Sequence, residues 1–295
     1  MLFRSFTGAT PAFAPYTQFD SSGAITGGFG PIFLITNHAH SSYNALQVSA
    51  SNNLTAWGLG VQASYSWSKS IDDVSTVINT PPPQDPFHTS TERGPSSFDV
   101  TQAMSFSLFQ DLHADRAPVL GRLGKTAMGG WQVLAIGTVN TGLPFTVVSG
   151  IQQTGVGAGG ADRPDQVGTP VLSTSRTVRE DYFGRGDNNV AYFSIPIDVA
   201  GGTGPNQGRF GALGRNTFRG PAFRNFDIAF IKDTPLATKN GRERAAIQFR
   251  GEFFNLFNIV NFGLPSNTVL GPGFGRISKT AGSSRQIQFS LKLIY

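Results

Sequence analysis

Two histidines in the segment NHAH, His38 and His40, stand at the spacing that puts both rings on one face of an extended strand, as two ligands of a metal ion would sit. No third histidine or carboxylate cluster accompanies them, and they read as two polar loop residues. GVGAGG, Gly155 to Gly160, has the glycine density of a nucleotide loop. No GK[ST] follows it and no βα unit surrounds it, so it reads as a flexible loop. The RGD at Arg185 to Asp187 has the length of an adhesive tripeptide, a motif short enough to recur by chance. Hydrolysis at a protein rim would need a serine, a histidine and an orienting Asn or Asp. The four histidines, His38, His40, His88 and His113, come with many serines but with no GxSxG elbow. The chain is not read as an enzyme, and no catalytic, cofactor-binding or metal residue is assigned. Arg209, Arg215, Arg219 and Arg224 cluster ahead of a strand. They could form a mouth attractive to anionic ligands, or they could hydrogen-bond the base of a loop; both readings stand. Asp72 and Asp73, next to Lys69, read as a solvated strand end.

The elements that must position these residues are strands. RQIQFSLKLIY, Arg285 to Tyr295, places Ile287, Phe289, Leu291, Leu293 and Tyr295 at alternate positions, with Gln286, Gln288, Ser290 and Lys292 between them. That is the period of a strand with one apolar and one polar face. GLGVQASYSWSKSIDD repeats the pattern with Leu59, Val61, Ala63, Tyr65 and Trp67. AAIQFRGEFFNLFN repeats it with Ile247, Phe249, Gly251 and Phe253, leaving Gln248, Arg250 and Glu252 opposite. Further strands are expected at Ser42 to Ala50, Phe98 to Leu112, Gly130 to Val148 and Phe223 to Asp233, about seven in all. Gly130 to Val148 carries apolar residues in both phases. Most are at least the ~9 residues a tilted membrane strand requires. In a barrel the apolar face meets lipid, and Arg250, Glu252 and Lys292 face the lumen, because a lysine at mid-bilayer costs roughly 2 to 4 kcal/mol on the lipid side.

Connections between these strands alternate in length. SNNLTAW, His113 to Gly130 and PLATKNGRER are short to moderate. The stretches from about Asp72 to Ser97, Ser149 to Ala222 and Ile259 to Ser284 are long. Tight turns at one end and large loops at the other are the habit of outer-membrane barrels, and the long loops would be the ligand-facing surface. Residues 1–40 read as one more such loop. On this orientation Tyr295 lies at the periplasmic rim, where an aromatic girdle belongs.

Composition agrees. The 295 residues include 36 glycines, 18 prolines and 25 phenylalanines but only 3 methionines, which suits short turns and strands better than helices. The charged fraction is 14% and the mean hydropathy −0.11, the average that alternating strands produce. No apolar run approaches the ~18 residues of a spanning helix; PIFLIT is among the longest. Zero cysteines exclude disulfide scaffolds and thiolate sites. The net charge of +5 is spread along the chain without a dense basic stripe, so nucleic acid is not expected as a partner. MLFRSFTGATPAFAPYTQFD lacks the unbroken apolar core of ~7 to 15 residues that a secretion signal needs.

Seven stretches taken together carry a resemblance: YNALQ (Tyr43 to Gln47), YSWSKSID (Tyr65 to Asp72), GRNTFRGPAFRNFD (Gly214 to Asp227), FRGEFFNLFN (Phe249 to Asn258), NFG (Asn261 to Gly263), FGRI (Phe274 to Ile277) and the closing RQIQFSLKLIY. In this order they resemble the C-terminal barrel portion of Oar-like TonB-dependent outer-membrane receptors. The resemblance implies a barrel of about 22 strands with an N-terminal plug on which TonB pulls. It also implies that the last strand, through Phe289, Leu291, Leu293 and Tyr295, is read by the barrel-assembly machinery. No plug, TonB box or signal is found in the chain.

The expected fold is therefore all-β: an antiparallel transmembrane barrel portion of about seven meander strands, incomplete alone, with residues 1–40 as a loop and 41–295 as strands and loops. An open sheet leaves edges whose unpaired backbone groups cost several kcal/mol each in lipid. The expected function is a share in energised uptake of a bulky solute across the outer membrane. The expected partners are outer-membrane lipid, the assembly machinery, TonB through the plug region, and a transported ligand. A structural or adhesive surface protein of the same barrel type, or a secreted β-sandwich binding module, is the alternative.

Overall fold

A computed structural model of the chain describes residues 38–54, 58–76, 83–85, 88–112, 129–151, 162–170, 172, 182–183, 192–196, 209–239 and 242–295, with strand backbones at 2–6, 18–19, 25–27 and 32–36. Seven long strands form one antiparallel meander. They are β1 (Ser41–Leu54), β2 (Leu59–Asp72), β3 (Gln102–Leu112), β4 (Trp131–Asn140), β5 (Phe223–Lys239), β6 (Arg242–Phe254) and β7 (Gln286–Ile294), each paired with its neighbours in sequence. A two-residue strand, Gly94–Pro95, adds to the end of β2. Among the described residues there is no α-helix. Within residues 1–40, Leu2–Phe6 pairs with Ile32–Thr36 and Gln18–Phe19 with Ile25–Gly27.

Register brings the alternation of each strand onto a common face. One row runs Asn52, Val61, Leu108, Ala135, Ile228, Phe253, Ile287 across all seven strands. The row beside it on the opposite face runs Asn53, Gly60, Phe109, Leu134, Ala229, Glu252, Gln288. The first face gathers Leu46, Val48, Tyr65, Trp67, Met104, Phe289, Leu291 and Leu293, all exposed. A soluble sheet would bury such a face against a second layer; among the described residues no second layer covers it. The second face gathers Gln47, Ser49, Ser64, Ser66, Ser105, Thr138, Gln248, Arg250, Glu252 and Lys292. The two-phase segment at β4 is resolved by its neighbours: Trp131, Val133, Ala135, Gly137 and Val139 align with Leu112, Gln110, Leu108, Phe106 and Met104.

Glycines on the apolar face seat aromatic rings from the next strand. A Cβ on Gly137 would stand 2.2 Å from the Phe106 ring, which lies across the strand toward Phe226 at a centroid distance of 6.2 Å. Gly251 likewise lies under Phe289, which stacks on Phe249. Such rings covering neighbouring glycines hold register. Lys232 occupies this face at its short-turn end, where its Nζ donates to the Gly129 carbonyl at 2.6 Å and sits 5.6 Å from the Trp131 ring centre.

Strand ends differ from the sequence reading where pairing continues past the polar residues. β1 runs to Leu54, consuming part of SNNLTAW, because Asn52, Asn53 and Leu54 stay in register with Val61, Gly60 and Leu59. β5 and β6 extend through PLATKNGRER to Lys239 and Arg242. Conversely, Phe98 to Thr101 is not strand, and β4 stops at Asn140, with Pro144–Phe145 pairing separately with Phe218–Arg219. The stretch 113–128 lies outside the described residues. All three long connections, 73–101, 141–222 and 255–285, leave the same end of the sheet. Among the described residues neither β1 nor β7 has a second partner strand.

Candidate functional site

The described parts of the long connections converge over the polar face at that end. Their centre is aromatic: Phe183 is fully buried among Phe145, Phe193, Phe218 and Phe274, with ring centroids 5.1 to 6.3 Å away. Tyr182, Val147, Leu213, Val269 and Ile277 complete this core. Edge-on, tilted and stacked contacts of this kind add roughly 0.5 to 1.5 kcal/mol per pair beyond burial. Burial holds the Tyr182 phenol up to about 12. Its hydroxyl donates to the Arg219 carbonyl.

Beneath the core, three arginine–carboxylate pairs tie the 141–222 connection to the 73–101 connection and to the end of β2. Arg163 Nη1 reaches both oxygens of Glu92 at 2.9 and 2.8 Å, its Nε donates to the Leu213 carbonyl at 2.7 Å, and both side chains are about 5% exposed. Arg215 pairs with Asp72 at the tip of β2 and donates to Ser75 Oγ and the Glu92 carbonyl. Arg219 pairs with Asp99, whose other oxygen accepts the Ser70 backbone N–H at 2.6 Å. Asp99 thus stands in for the carbonyl that a straight β3 would have offered to β2. Ser70 and Ser96 share a hydroxyl contact of 2.8 Å, and Ser68 Oγ donates to the Val100 carbonyl. The alternation at the end of β2 shows on which side this happens: Ser68, Ser70 and Asp72 are buried while Trp67 is 56% exposed. The loops fold onto the polar face.

Asparagines turn the chain at the strand ends. Asn216, with φ of 54°, donates from Nδ2 to the Pro95 carbonyl and exchanges hydrogen bonds with Thr146. Asn255 and Asn258 also hold positive φ, which asparagine tolerates better than most residues. Asn255 bonds Ile259 and Ser283 while its own N–H donates to Asp227. Asn261 accepts from the Arg224 N–H and donates to the Arg224 carbonyl, both at 2.8 Å. The stretch after β6 is thereby clasped to the start of β5.

A one-faced apolar sheet with every long loop at one end, folded over the polar side, is the design of a membrane barrel wall. Residues 4–288 match the family described as an outer membrane beta barrel domain. The chain belongs to that family. No curated protein and no solved structure is significantly similar to it.

In this barrel domain the apolar face is the lipid face, the polar face lines the lumen, and the setting is the outer membrane. The four arginines read either as a mouth or as the bonding of a loop base have separate places. Arg215 and Arg219 are committed to Asp72 and Asp99. Arg209 pairs at the surface with Asp165 at 2.5 Å, and that contact holds the Asp165 carboxyl below its ordinary range and the Arg209 guanidinium above its own. Arg224 shares the outward phase of Phe226 and Ile228 at the long-loop end of β5. On the polar face Arg250 Nη1 lies 3.6 Å from Glu252 Oε1 and Lys292 sits opposite Gln248, while Asp72, Asp111, Asp227 and Asp233 share that face nearer the strand ends. Gln47, Ser49, Ser64, Ser66, Ser105 and Thr138 line a half-open depression of about 590 Å³, with Ser64 and Ser105 hydroxyls 2.7 Å apart.

His40 donates its backbone N–H to Asp73 and holds its ring 3.6 Å from that carboxylate; His38 is exposed. Among the described residues no three His, Asp or Glu side chains converge on a metal position. GVGAGG, RGD and His113 lie outside the described residues. Phe289, Leu291 and Leu293 lie outward on β7, and Tyr295 is 98% exposed.

Sequence reasoning placed Asp72 at a solvated strand end, whereas it is 2% exposed under Arg215. It also passed over Glu92, Asp99, Arg163 and the aromatic core. The available signal was the presence of single charges and phenylalanines inside Gly- and Pro-rich loops, which a solvated loop does not need. Their partners lie 71 to 143 residues apart, so no local pattern connects them.

Proposed function

We propose that this barrel domain supplies part of the wall and the outward mouth of a TonB-dependent receptor that takes up a bulky solute. The observation that carries the reading is the cap: long loops from two connections share one aromatic core, and arginine–carboxylate pairs fasten the third connection to it on the lumenal side of the strand ends. A cap there stands in the path of anything entering the lumen, and its buried ion pairs make it a preformed surface rather than a set of loose ends. The receptor resemblance adds support, since its stretches meet in space. Asp72 of YSWSKSID pairs with Arg215 of GRNTFRG, and Asn255 and Asn261 clasp the start of β5.

On this reading the long loops face outward and TonB acts through a plug region outside the chain. Phe289, Leu291, Leu293 and Tyr295 are the signal for the barrel-assembly machinery. Cells with and without the gene would be grown on a complex medium, and solute depletion followed by mass spectrometry with and without a proton-motive-force uncoupler. Gene-dependent depletion that the uncoupler abolishes is expected. Binding of solute to the cell surface that the uncoupler leaves intact would replace transport with an adhesive role.

A further inference from the structure

Directly beneath the cap, register sets two rows of the lumenal wall side by side. One runs Gln47, Ser66, Ala103, Asn140 and the next Ser49, Ser64, Ser105, Thr138, both across β1 to β4. The first row has an amide at each end and two small side chains between them, which opens the depression of about 590 Å³ into a trough. The second puts a hydroxyl on every strand. The next lumenal residue up β2, Ser68, already lies under the cap, buried and donating to the Val100 carbonyl. A solute that passes the cap meets these two rows first.

The chemistry of the rows selects a class of solute. None of the lining residues is charged, and the cap arginines Arg163, Arg215 and Arg219 are committed to carboxylates. An anion would give up water here for a wall that returns no opposite charge. Hydroxyls and primary amides both donate and accept. The side chains of Gln47, Ser49, Ser66, Thr138 and Asn140 make no hydrogen bond within the described residues, and the Ser64–Ser105 hydroxyl pair at 2.7 Å keeps one proton to give. Neighbouring strands stand ~4.8 Å apart, so the second row repeats a hydroxyl at about the length of one sugar ring. Further down the same face Ile136 and Phe109 are 53% and 40% exposed, apolar surfaces on which the C–H side of a ring can rest. An extended peptide would instead call for the backbone groups of a sheet edge. We propose that this trough binds a neutral oligosaccharide laid across β1 to β4, held by the amides of Gln47 and Asn140 and by the hydroxyl row from Ser49 to Thr138. The inference rests on the reading of the domain as the wall of an uptake receptor and names the class of its solute.

The full receptor, purified from the outer membranes of cells that produce it, would be labelled and passed over an array of neutral and acidic oligosaccharides beside an array of short peptides. Neutral oligosaccharides should be bound in preference to acidic ones and to peptides. Gln47→Leu and Asn140→Leu should each weaken the best neutral hit about fivefold, and Ser105→Phe, which fills the trough, should abolish it. Gln288→Leu, the same change made on β7 of the same face, should leave binding intact. Heat-modifiable gel mobility checks the folding of each variant; if Ser105→Phe does not fold, Gln47→Leu and Asn140→Leu alone decide. Acidic or peptide hits without neutral ones, no hit on either array, or a neutral hit that the trough variants leave unchanged would overturn the proposal. Neutral binding through the trough without uncoupler-sensitive uptake would overturn the transport reading and keep the site. Uncoupler-sensitive uptake of a charged solute, with no neutral binding, would do the reverse.

Discussion

Glu92 and Arg163 offer the sharpest test of the cap. Glu92→Gln preserves shape and keeps an oxygen for the Gln84 N–H, which donates to Glu92 Oε1 at 3.0 Å. It removes the charge that balances a guanidinium only about 5% exposed. Breaking a buried pair by neutralising one partner costs about 3 to 5 kcal/mol, because the remaining charge is left without compensation. At about 1.4 kcal/mol per factor of ten, local opening becomes roughly 100- to 4,000-fold more frequent. Hydrogen exchange on the barrel in outer-membrane vesicles would read this at the amides of Gln84, Arg163 and Leu213, which donate to Glu92, Gln84 and Pro164 respectively. The amides of β6 and β7 should not change. Glu92→Leu combined with Arg163→Met removes both charges. It should be less damaging than Glu92→Gln, because no uncompensated charge is left, although the Leu213 carbonyl and the Gln84 N–H each lose a partner. A change under about fivefold in Glu92→Gln, or a double variant as damaged as the single, would refute the assignment of cap stability to this pair.

Other consequences are separately testable. Tyr182 is an acid whose pKa is raised on folding, from an ordinary 10 to about 12, so its contribution is fully present below pH 10 and is lost as pH rises from 10 to 12. Cap protection should fall across that window and Tyr182→Phe should flatten the fall, as exchange or cap proteolysis would report; an unchanged fall in Tyr182→Phe would assign it elsewhere. Gly137→Val drives a side chain into the Phe106 ring and should cost about 1 to 3 kcal/mol in urea unfolding from vesicles. A neutral result would mean that the ring does not rest on the glycine. Leu291→Lys places a charge on the lipid face and should cost about 2 to 4 kcal/mol at mid-bilayer, whereas Ser290→Lys on the lumenal face should fold normally by heat-modifiable gel mobility. Equal effects would dissolve the distinction between the faces. Tyr295→Ser should slow outer-membrane insertion in pulse-chase fractionation; unchanged insertion would remove Tyr295 from the assembly signal.

Strand phase was legible in the sequence because side-chain direction in a strand is local. The order Ile287, Phe289, Leu291, Leu293 declares its face without reference to any neighbour, and the alternation of long and short connections sorts the loops to two ends. β4 marks where that locality stops. With apolar residues in both phases, its lipid face is decided only by pairing Gly137 with Phe106 and Phe226. The strand ends at Leu54 and Lys239 were likewise set by cross-strand pairing that polar residues do not interrupt, while β4 stops at Asn140 and Pro144–Phe145 pairs with Phe218–Arg219 instead.

The cap belongs wholly to tertiary structure. Asp72, Asp99 and Glu92 are ordinary loop and strand-end carboxylates in sequence, and what buries them is the arrival of Arg215, Arg219 and Arg163 from a connection far along the chain. Phe145, Phe183, Phe193, Phe218 and Phe274 follow no period because no single element carries them. A sheet face is written residue by residue into its strand, so the sequence alone determined strands with one apolar and one polar side; the uncovered apolar face and the family match made them a membrane wall. A loop core is written only in the distances between strangers, so only the tertiary structure brings Arg163, Arg215 and Arg219 onto Glu92, Asp72 and Asp99.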